Sequence, residues 1–561
     1  FSGGALTATI GRGYSGGKNF SLPDLASNDQ FGTSVSLDGN ALAVGAFGDN
    51  GLFNTTTGAG AVYLFSFSDA AFSTPTLTSR IGKDYSAAGS HNVLNLAAND
   101  HFGSAVSLDG DRLAVGARFD DGSSNQMSDS GAVYLFSIVN PATPTVTLLT
   151  TIGQGYGITP TVPGLKANDG FAASIALDGN RLVVGVPGDD GVTGNTADAG
   201  AVYLFTFADA AFATPVLQGI IGVGYSGGKN LSVVSLEAGD QFGTGVSING
   251  NRLAVGANGD DGRFNDFSET GAAYLFTFTD ANFGGGALAA ILGVGYTGGK
   301  NRDVIGLSSL DNFGVSVSLD GNRLAVGAPG DDGQGNLVTD SGAVYLFSFT
   351  DSAFSGGAEA GRLGAGYVLG TNYLNVPGLQ ASDEFGRSVS LDGNRLAVGA
   401  IGDDGALNSQ SGAGAVYLFT FANASFATPT LAGIYGTSYS GGKNLDLANV
   451  QTGDRFGTSV SLDGLRLAIG APRDDGSGNA ATDSGAVYLV TFADDLFTTP
   501  ALQATFGAGY GAIGGKNRTV AEIAANDLFG FSVSIDAERL AVGALFDDGA
   551  TNSTTDAGAV Y

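Results

Sequence analysis

Aspartate pairs return along this chain at a steady interval: Asp120-Asp121, Asp189-Asp190, Asp260-Asp261, Asp331-Asp332, Asp403-Asp404, Asp474-Asp475 and Asp547-Asp548, with Asp49-Asn50 as a degraded copy. A further aspartate stands two residues ahead of a phenylalanine in each unit: Asp29, Asp100, Asp169, Asp240, Asp311, Asp383, Asp454 and Asp527. Loops such as Asp189-Asp190-Gly191, with Asn195 and Asp198 behind them, are rich in the oxygen donors of which Ca2+ takes roughly six to eight. The same residue types also bond their own backbone and fix turns, which accounts for Asp-Asp-Gly without any ligand. Calcium ligation and turn stabilisation both remain open for the paired aspartates, and the two are compatible.

Carboxylate pairs also hydrolyse glycosides, but an active site is one asymmetric constellation and these pairs occur in every unit. His91 and His101 are the only histidines and both lie near one unit, and cysteine is absent, so no Ser-His-Asp or Cys-His set can be drawn. The expectation is a protein that is not an enzyme. Gly-Gly-Lys-Asn segments (Gly16 to Asn19, Gly227 to Asn230, Gly298 to Asn301, Gly441 to Asn444, Gly514 to Asn517) lack the spacing and the following helix of a phosphate loop. They read as Gly-rich loops between structural units, with Lys18, Lys229, Lys300, Lys443 and Lys516 answering nearby aspartates.

The elements that position these residues come from the repeat itself. Its anchoring residues, Phe31, Phe102, Phe171, Phe242, Phe313, Phe385, Phe456 and Phe529, are 69 to 73 residues apart. A period of that length holds about four short strands and their turns, the size of one propeller blade. Val315 to Leu319 alternates apolar and polar residues, and Leu324 to Ala328 is an apolar run of small residues; Asp320-Gly321-Asn322 between them suits a tight hairpin. Gly342 to Phe349 supplies a third strand and Leu288 to Leu292 a fourth, matched by Leu217 to Ile221 and Leu502 to Phe506. The Gly and Ala of the second strand suggest crowding where blades converge, and the Phe of Phe-Gly is expected to fill space between blades. With 93 glycines and almost no 3.6-residue apolar period, the chain is predicted to be all-β, a single domain over residues 1–561.

The chain begins in a fourth strand (Ala5 to Ile10) and stops in a third (Ala559 to Tyr561). Joined head to tail these ends complete a blade, short by a stretch equivalent to Leu204 to Ala211. The prediction is an eight-bladed β-propeller of four-stranded antiparallel blades, closed by the N-terminal strand, which removes most exposed sheet edges. The same ends could instead pair between molecules and build a filament. Because meander strands alternate direction, the link entering the first strand and the link leaving the second emerge on one face, placing 23 acidic groups there. The turns on the other face carry Arg112, Arg181, Arg252, Arg323, Arg395, Arg466 and Arg539, each able to neutralise a turn carboxylate such as Asp320 or Asp392.

A net charge of −29 without basic runs disfavours nucleic acid and anionic membranes, and no apolar stretch suggests membrane insertion. The opening at Phe1, inside a repeat, suggests a chain processed from something longer. An acidic, cysteine-free chain rich in Gly, Asn, Thr and Ser fits a secreted or surface protein of a bacterium better than a cytosolic enzyme.

Phe313 to Val317, Leu324 to Pro329 and Gly342 to Phe347 resemble the FG-GAP repeats of integrin α-subunit β-propellers, most of all the bacterial-type group, over essentially the whole chain. The resemblance implies an extracellular propeller that adheres or binds a partner, on the face that here carries the aspartates. The calcium loop of integrin-type repeats, between first and second strands, does not carry over, since that link is here a short turn such as Leu391 to Arg395. The leading expectation is a non-enzymatic extracellular or cell-surface adhesion or binding module whose acidic face takes cations and a protein or glycan partner. A structural subunit that self-associates into a filament and a carbohydrate-active enzyme are the alternatives.

Overall fold

The computed structural model describes residues 9–13, 19–38, 40–68, 75–86, 90–109, 111–139, 145–156, 162, 164–178, 180–209, 215–368, 370, 372–510, 518–520, 523–536, 539–544, 546–548, 556 and 559–561. Ala5 to Ala8, Ala210, Ala211, Gly16 to Lys18 and Gly514 to Asn517, singled out above, lie outside them, as does the Arg539 side chain.

Alternating residues and tight turns make each repeat fold on itself as one small sheet. Blade six shows the order: Phe385–Asp392, Arg395–Ala400, Ala415–Thr420 and Thr430–Gly436 form an antiparallel meander. Asp392 pairs with Arg395 across the first turn, so Val389, Leu391, Leu396 and Val398 share a register. Eight such sheets form the ring, and the chain is an eight-bladed propeller. Its last blade is completed by Ile10–Gly11, which pairs antiparallel with Ala559–Val560.

The blades depart from the predicted four strands in one respect. Among the described residues, seven of the eight sheets show a fifth strand of two residues, such as Leu445–Asp446, running parallel to the fourth. The Asn of Gly-Gly-Lys-Asn holds it there: Asn230, Asn301 and Asn444 Oδ1 each accept the amide of Ile220, Ile291 or Ile434 at 2.9 Å, folding the linker back along the fourth strand.

The core lies between blades. Eight apolar clusters each join one blade to the next, as when Ala254, Leu275 and Leu292 pack on Phe313, Leu324 and Tyr345. The phenylalanines are at most 1% exposed and meet the tyrosine of Gly-Ala-Val-Tyr edge-on, Phe313 to Tyr345 at 5.1 Å, as expected of space-fillers. Crowding explains the second-strand glycine: a Cβ on Gly327 would stand 2.0 Å from the carbonyl oxygen of Gly386 in the next blade. Gly386 itself has φ +103°, in the bulge that turns Phe385 inward, so Phe-Gly of one repeat is fitted to Val-Gly-Ala of its neighbour. Blade three breaks this rule with Ala172, held at φ +80°. Ser316 Oγ donates to Gly386 O at 2.9 Å across one seam, and Ser532 to Gly32 O at 3.2 Å across the closing seam, so the ring closes with the same bond that Ser34, Ser174, Ser388 and Ser459 make at other seams. Among the described residues no helix is long and apolar enough to cross a membrane.

Candidate functional site

Each second strand ends in a glycine-rich turn that drives the first aspartate of the pair inward. In blade five, Asp331 Oδ1 accepts the Gly333 amide at 2.7 Å and the Tyr367 hydroxyl at 2.9 Å, while Oδ2 accepts Tyr367 at 3.0 Å and the Tyr345 hydroxyl. Tyr345 comes from the third strand, Ala343–Ser348, and Tyr367 from just beyond the fourth, Ala358–Gly364. The trio repeats as Asp49 with Tyr63 and Tyr85, Asp120 with Tyr134 and Tyr156, and Asp189 with Tyr203 and Tyr225. It recurs again at Asp260 with Tyr274 and Tyr296, Asp403 with Tyr417 and Tyr439, and Asp474 with Tyr488 and Tyr510. Asp547 accepts Tyr561 in the closing blade. Burial pushes the carboxyls upward, to about 6 at Asp260 and Asp474, against the opposing pull of the hydroxyl and amide donors. Burial, and then the adjacent carboxylate, holds the third-strand tyrosines far above their ordinary range, so they remain donors.

Behind each trio stands the aspartate of the linker. Asp311 Oδ2 accepts the Ser308 amide at 2.7 Å; its Oδ1 is buried with no partner, as in Asp29, Asp100, Asp169, Asp383, Asp454 and Asp527. Burial first, and then the charge of Asp331, push Asp311 up to about 9. Asp29, Asp454 and Asp527 also rise to about 9, and Asp100, Asp169, Asp240 and Asp383 to about 8, with burial first in every case. Burial thus favours the protonated form of these eight carboxyls at neutral pH. The structure thus brings both acidic motifs together on one side of the ring, yet turns most of them inward: all sixteen linker and first-of-pair aspartates are at most 3% exposed. The face expected to display 23 carboxylates keeps the seven second aspartates.

Those second aspartates are half-buried loop braces. Asp332 Oδ1 accepts the Asp340 amide at 2.7 Å, and Asp121, Asp190, Asp261, Asp404, Asp475 and Asp548 accept the amide eight residues on in the same way. The donor set therefore fits calcium poorly at Asp120, Asp189, Asp260, Asp331, Asp403 and Asp474, whose oxygens already accept two hydroxyls and an amide. Among the described residues no three acidic or histidine side chains converge as a metal cage requires.

On the opposite face the arginines do more than neutralise their turns. Arg181, Arg323 and Arg395 pair with Asp178, Asp320 and Asp392 as expected. They also donate to the next blade, to Gly250, Gly393 and Gly464 carbonyls, while Arg252 reaches Asn322 Oδ1 at 2.7 Å. Each of these four guanidiniums lies 5.9 to 6.0 Å from a phenylalanine ring of that next blade. The lysines behave differently from expectation: Lys229, Lys300 and Lys443 donate to carbonyls of Asn282, Ala353 and Leu496, in the hairpin between third and fourth strands of the following blade. Alternating strand direction puts that hairpin on the arginine side, and the folded-back linker carries each lysine down the outer edge to reach it. His101 is wedged between Phe47 and Phe119, and His91 against Phe136, and burial lowers both imidazoles.

The partner that sequence reasoning missed is the second tyrosine. Its signal was present, since Tyr85, Tyr156, Tyr225, Tyr296, Tyr367, Tyr439 and Tyr510 all stand 36 residues after the first aspartate of a pair. With the seams and trios in view, the comparison with known families is direct: the FG-GAP repeat profile matches residues 19–65, 95–136, 163–205, 236–276, 307–347, 378–419, 447–491 and 519–561. The chain belongs to the FG-GAP repeat family. Each match spans a Phe-Gly, or Phe171-Ala172 in the third, and the following Gly-Ala-Val-Tyr or its variant, the residues that form the seams and the trio. No curated protein sequence matches the chain.

Proposed function

We propose that this FG-GAP propeller is a non-enzymatic binding module of an extracellular or surface protein, and that it takes a protein or glycan partner on the face formed by the loops between second and third strands and the linkers between blades. One observation carries this reading: the blades repeat the same internal residues, while these loops carry different exposed side chains from blade to blade, such as Val192, Phe264, Leu337 and Leu407. Invariant interiors hold the ring and varied loops recognise a partner. The carboxylates that suggested chemistry are consumed inside, which supports binding over hydrolysis.

Beads coated with the protein are expected to adhere to immobilised surface glycoproteins or to cells. A ring whose loops in blades three to six are replaced by Ser477 to Thr482 of blade seven should keep its melting temperature and lose adhesion. Adhesion unaffected by that exchange, or turnover of a glycan by the purified protein, overturns the reading. Calcium belongs to it through the second aspartates, Asp121, Asp190, Asp261, Asp332, Asp404, Asp475 and Asp548, each with one oxygen committed to its loop. A melting temperature raised by millimolar Ca2+ and restored by EDTA is the expected sign, and no shift leaves them as loop braces. The filament alternative requires Ile10–Gly11 and Ala559–Val560 to leave each other for another chain. Light scattering on a size-exclusion column is expected to give a monomer; a polymer that grows with concentration would favour the filament.

A further inference from the structure

On blades three to six the rim of the proposed binding face carries six large apolar side chains in succession, Val234, Phe264, Ile305, Leu337, Val368 and Leu407, each 64–89% exposed, and blade one carries Phe53 and Leu94 at equivalent positions. The same loop in blade seven, Ser477 to Thr482, has no apolar residue larger than alanine, and blade two has Ser123 to Gln126 there. Scattered exposed apolar residues are ordinary, but these belong to adjoining loops. Asn265 Nδ2 donates to Glu237 Oε2 at 2.6 Å, tying the linker of Val234 to the loop of Phe264. Asn336 Nδ2 donates to Ser308 Oγ, tying the linker of Ile305 to the loop of Leu337. The Val368 amide donates to Gln334 Oε1 at 2.9 Å in that same loop, and Leu407 occupies the equivalent loop one blade on.

Charge selects the occupant. Glu237, Asp266, Glu269 and Asp303 are exposed among these side chains and Asp261, Asp332, Asp340 and Asp404 are half-exposed, whereas the exposed bases among the described residues of these loops and linkers are Arg263, lying 5.4 Å over the Phe264 ring, and Arg455, in the linker leaving blade six. A second copy of this chain, with its own net charge of −29, or an anionic lipid surface would bring like charge to the rim. We infer that the rim of blades three to six docks a basic amphipathic segment of a partner protein, whose apolar side chains lie among Phe264, Leu337 and Leu407 while its lysines or arginines meet the surrounding carboxylates. Apolar burial would supply affinity and the carboxylates orientation and association rate. This rests on the binding-module reading and narrows its partner.

A short synthetic peptide of Lys and Leu at helical spacing is the probe, titrated by calorimetry into the whole chain. Binding is expected to weaken by about tenfold or more in the triple variant Phe264→Ser, Leu337→Ser, Leu407→Ser, and comparably when Ser replaces Leu in the peptide. It should weaken with salt and in Asp266→Lys, Glu269→Lys, and stay unchanged when Leu288 and Leu496, exposed at the arginine side, become Ser. Equal binding by the triple variant, or by a peptide with Glu in place of Lys, overturns the inference. So does self-association in sedimentation that the triple variant abolishes, which would assign the rim to a second copy. Bead adhesion that persists while peptide binding fails would retain the binding module and discard this partner.

Discussion

The two ends of a blade seam neutralise carboxylates in opposite ways. At the arginine end, Asp392 meets Arg395, whose guanidinium also reaches Gly464 of the next blade, so charge is balanced by charge and two blades are tied. At the aspartate end, Asp331 is balanced by hydroxyls and an amide of its own blade, and its neighbour Asp311 by a proton. The first arrangement leaves the turn carboxylate part-exposed. The second is dry, and a dry carboxyl without a cation is stable as the acid. One seam therefore combines a tie between blades with a proton store inside each blade.

The largest effect should come from breaking the dry end. Asp331→Ala leaves two buried hydroxyls and an amide without their acceptor, and a loss of about 3 kcal/mol is expected in denaturant unfolding; a loss near zero would mean water replaces the carboxylate at no cost. Next comes pH. Asp311 is raised from 3.8 to about 9, so it binds its proton more tightly folded than unfolded. Its stabilisation is complete below pH about 4 and is lost as pH climbs through about 9, the reverse of a salt-bridged carboxylate. Melting temperature should fall steadily from pH 5 to pH 9, and Asp311→Asn should flatten that slope. A midpoint that rises with pH would contradict the proton store.

At the arginine end, Arg395→Met is expected to cost about 1–2 kcal/mol, discounted because Asp392 is partly exposed, with most of the loss coming from the tie to the next blade. An Asp392→Asn variant should cost less than Arg395→Met; the reverse order would make the ion pair the dominant contribution. The smallest expected change sits between the two ends. Ala172→Gly should stabilise the third blade by about 0.5–1 kcal/mol, because alanine there holds φ +80° where the other repeats place glycine. No gain would mean that the entropy glycine adds to the unfolded chain cancels the relief of strain.

Much of this molecule can be read from local pattern. Alternation in Val315 to Leu319, the turn at Asp320-Gly321-Asn322 and the recurrence of Phe-Gly together imply eight like sheets, and the incomplete ends imply closure by the first strand. Meander direction alone puts Asp311 and Asp331 on one side, and the identity of the second-strand glycines anticipates the close approach of blades. These features depend on neighbours a few residues apart or on the period itself. The fifth strand escaped because Asn444 must first find the Ile434 amide, a contact between a loop and a strand that no periodicity records. Whether a carboxylate faces water or tyrosine hydroxyls depends on partners 14 and 36 residues away, as with Asp331, Tyr345 and Tyr367. The reach of Arg395 depends on a blade about 70 residues on. Sequence alone determined the number of blades, their strand order and the side on which acid gathers, because local periodicity and chain direction suffice for these. Only the tertiary structure decided that the acid is buried, that burial favours the protonated form of the linker aspartates, and that the rim of blades three to six is apolar, because burial is set by what the rest of the ring packs against each side chain.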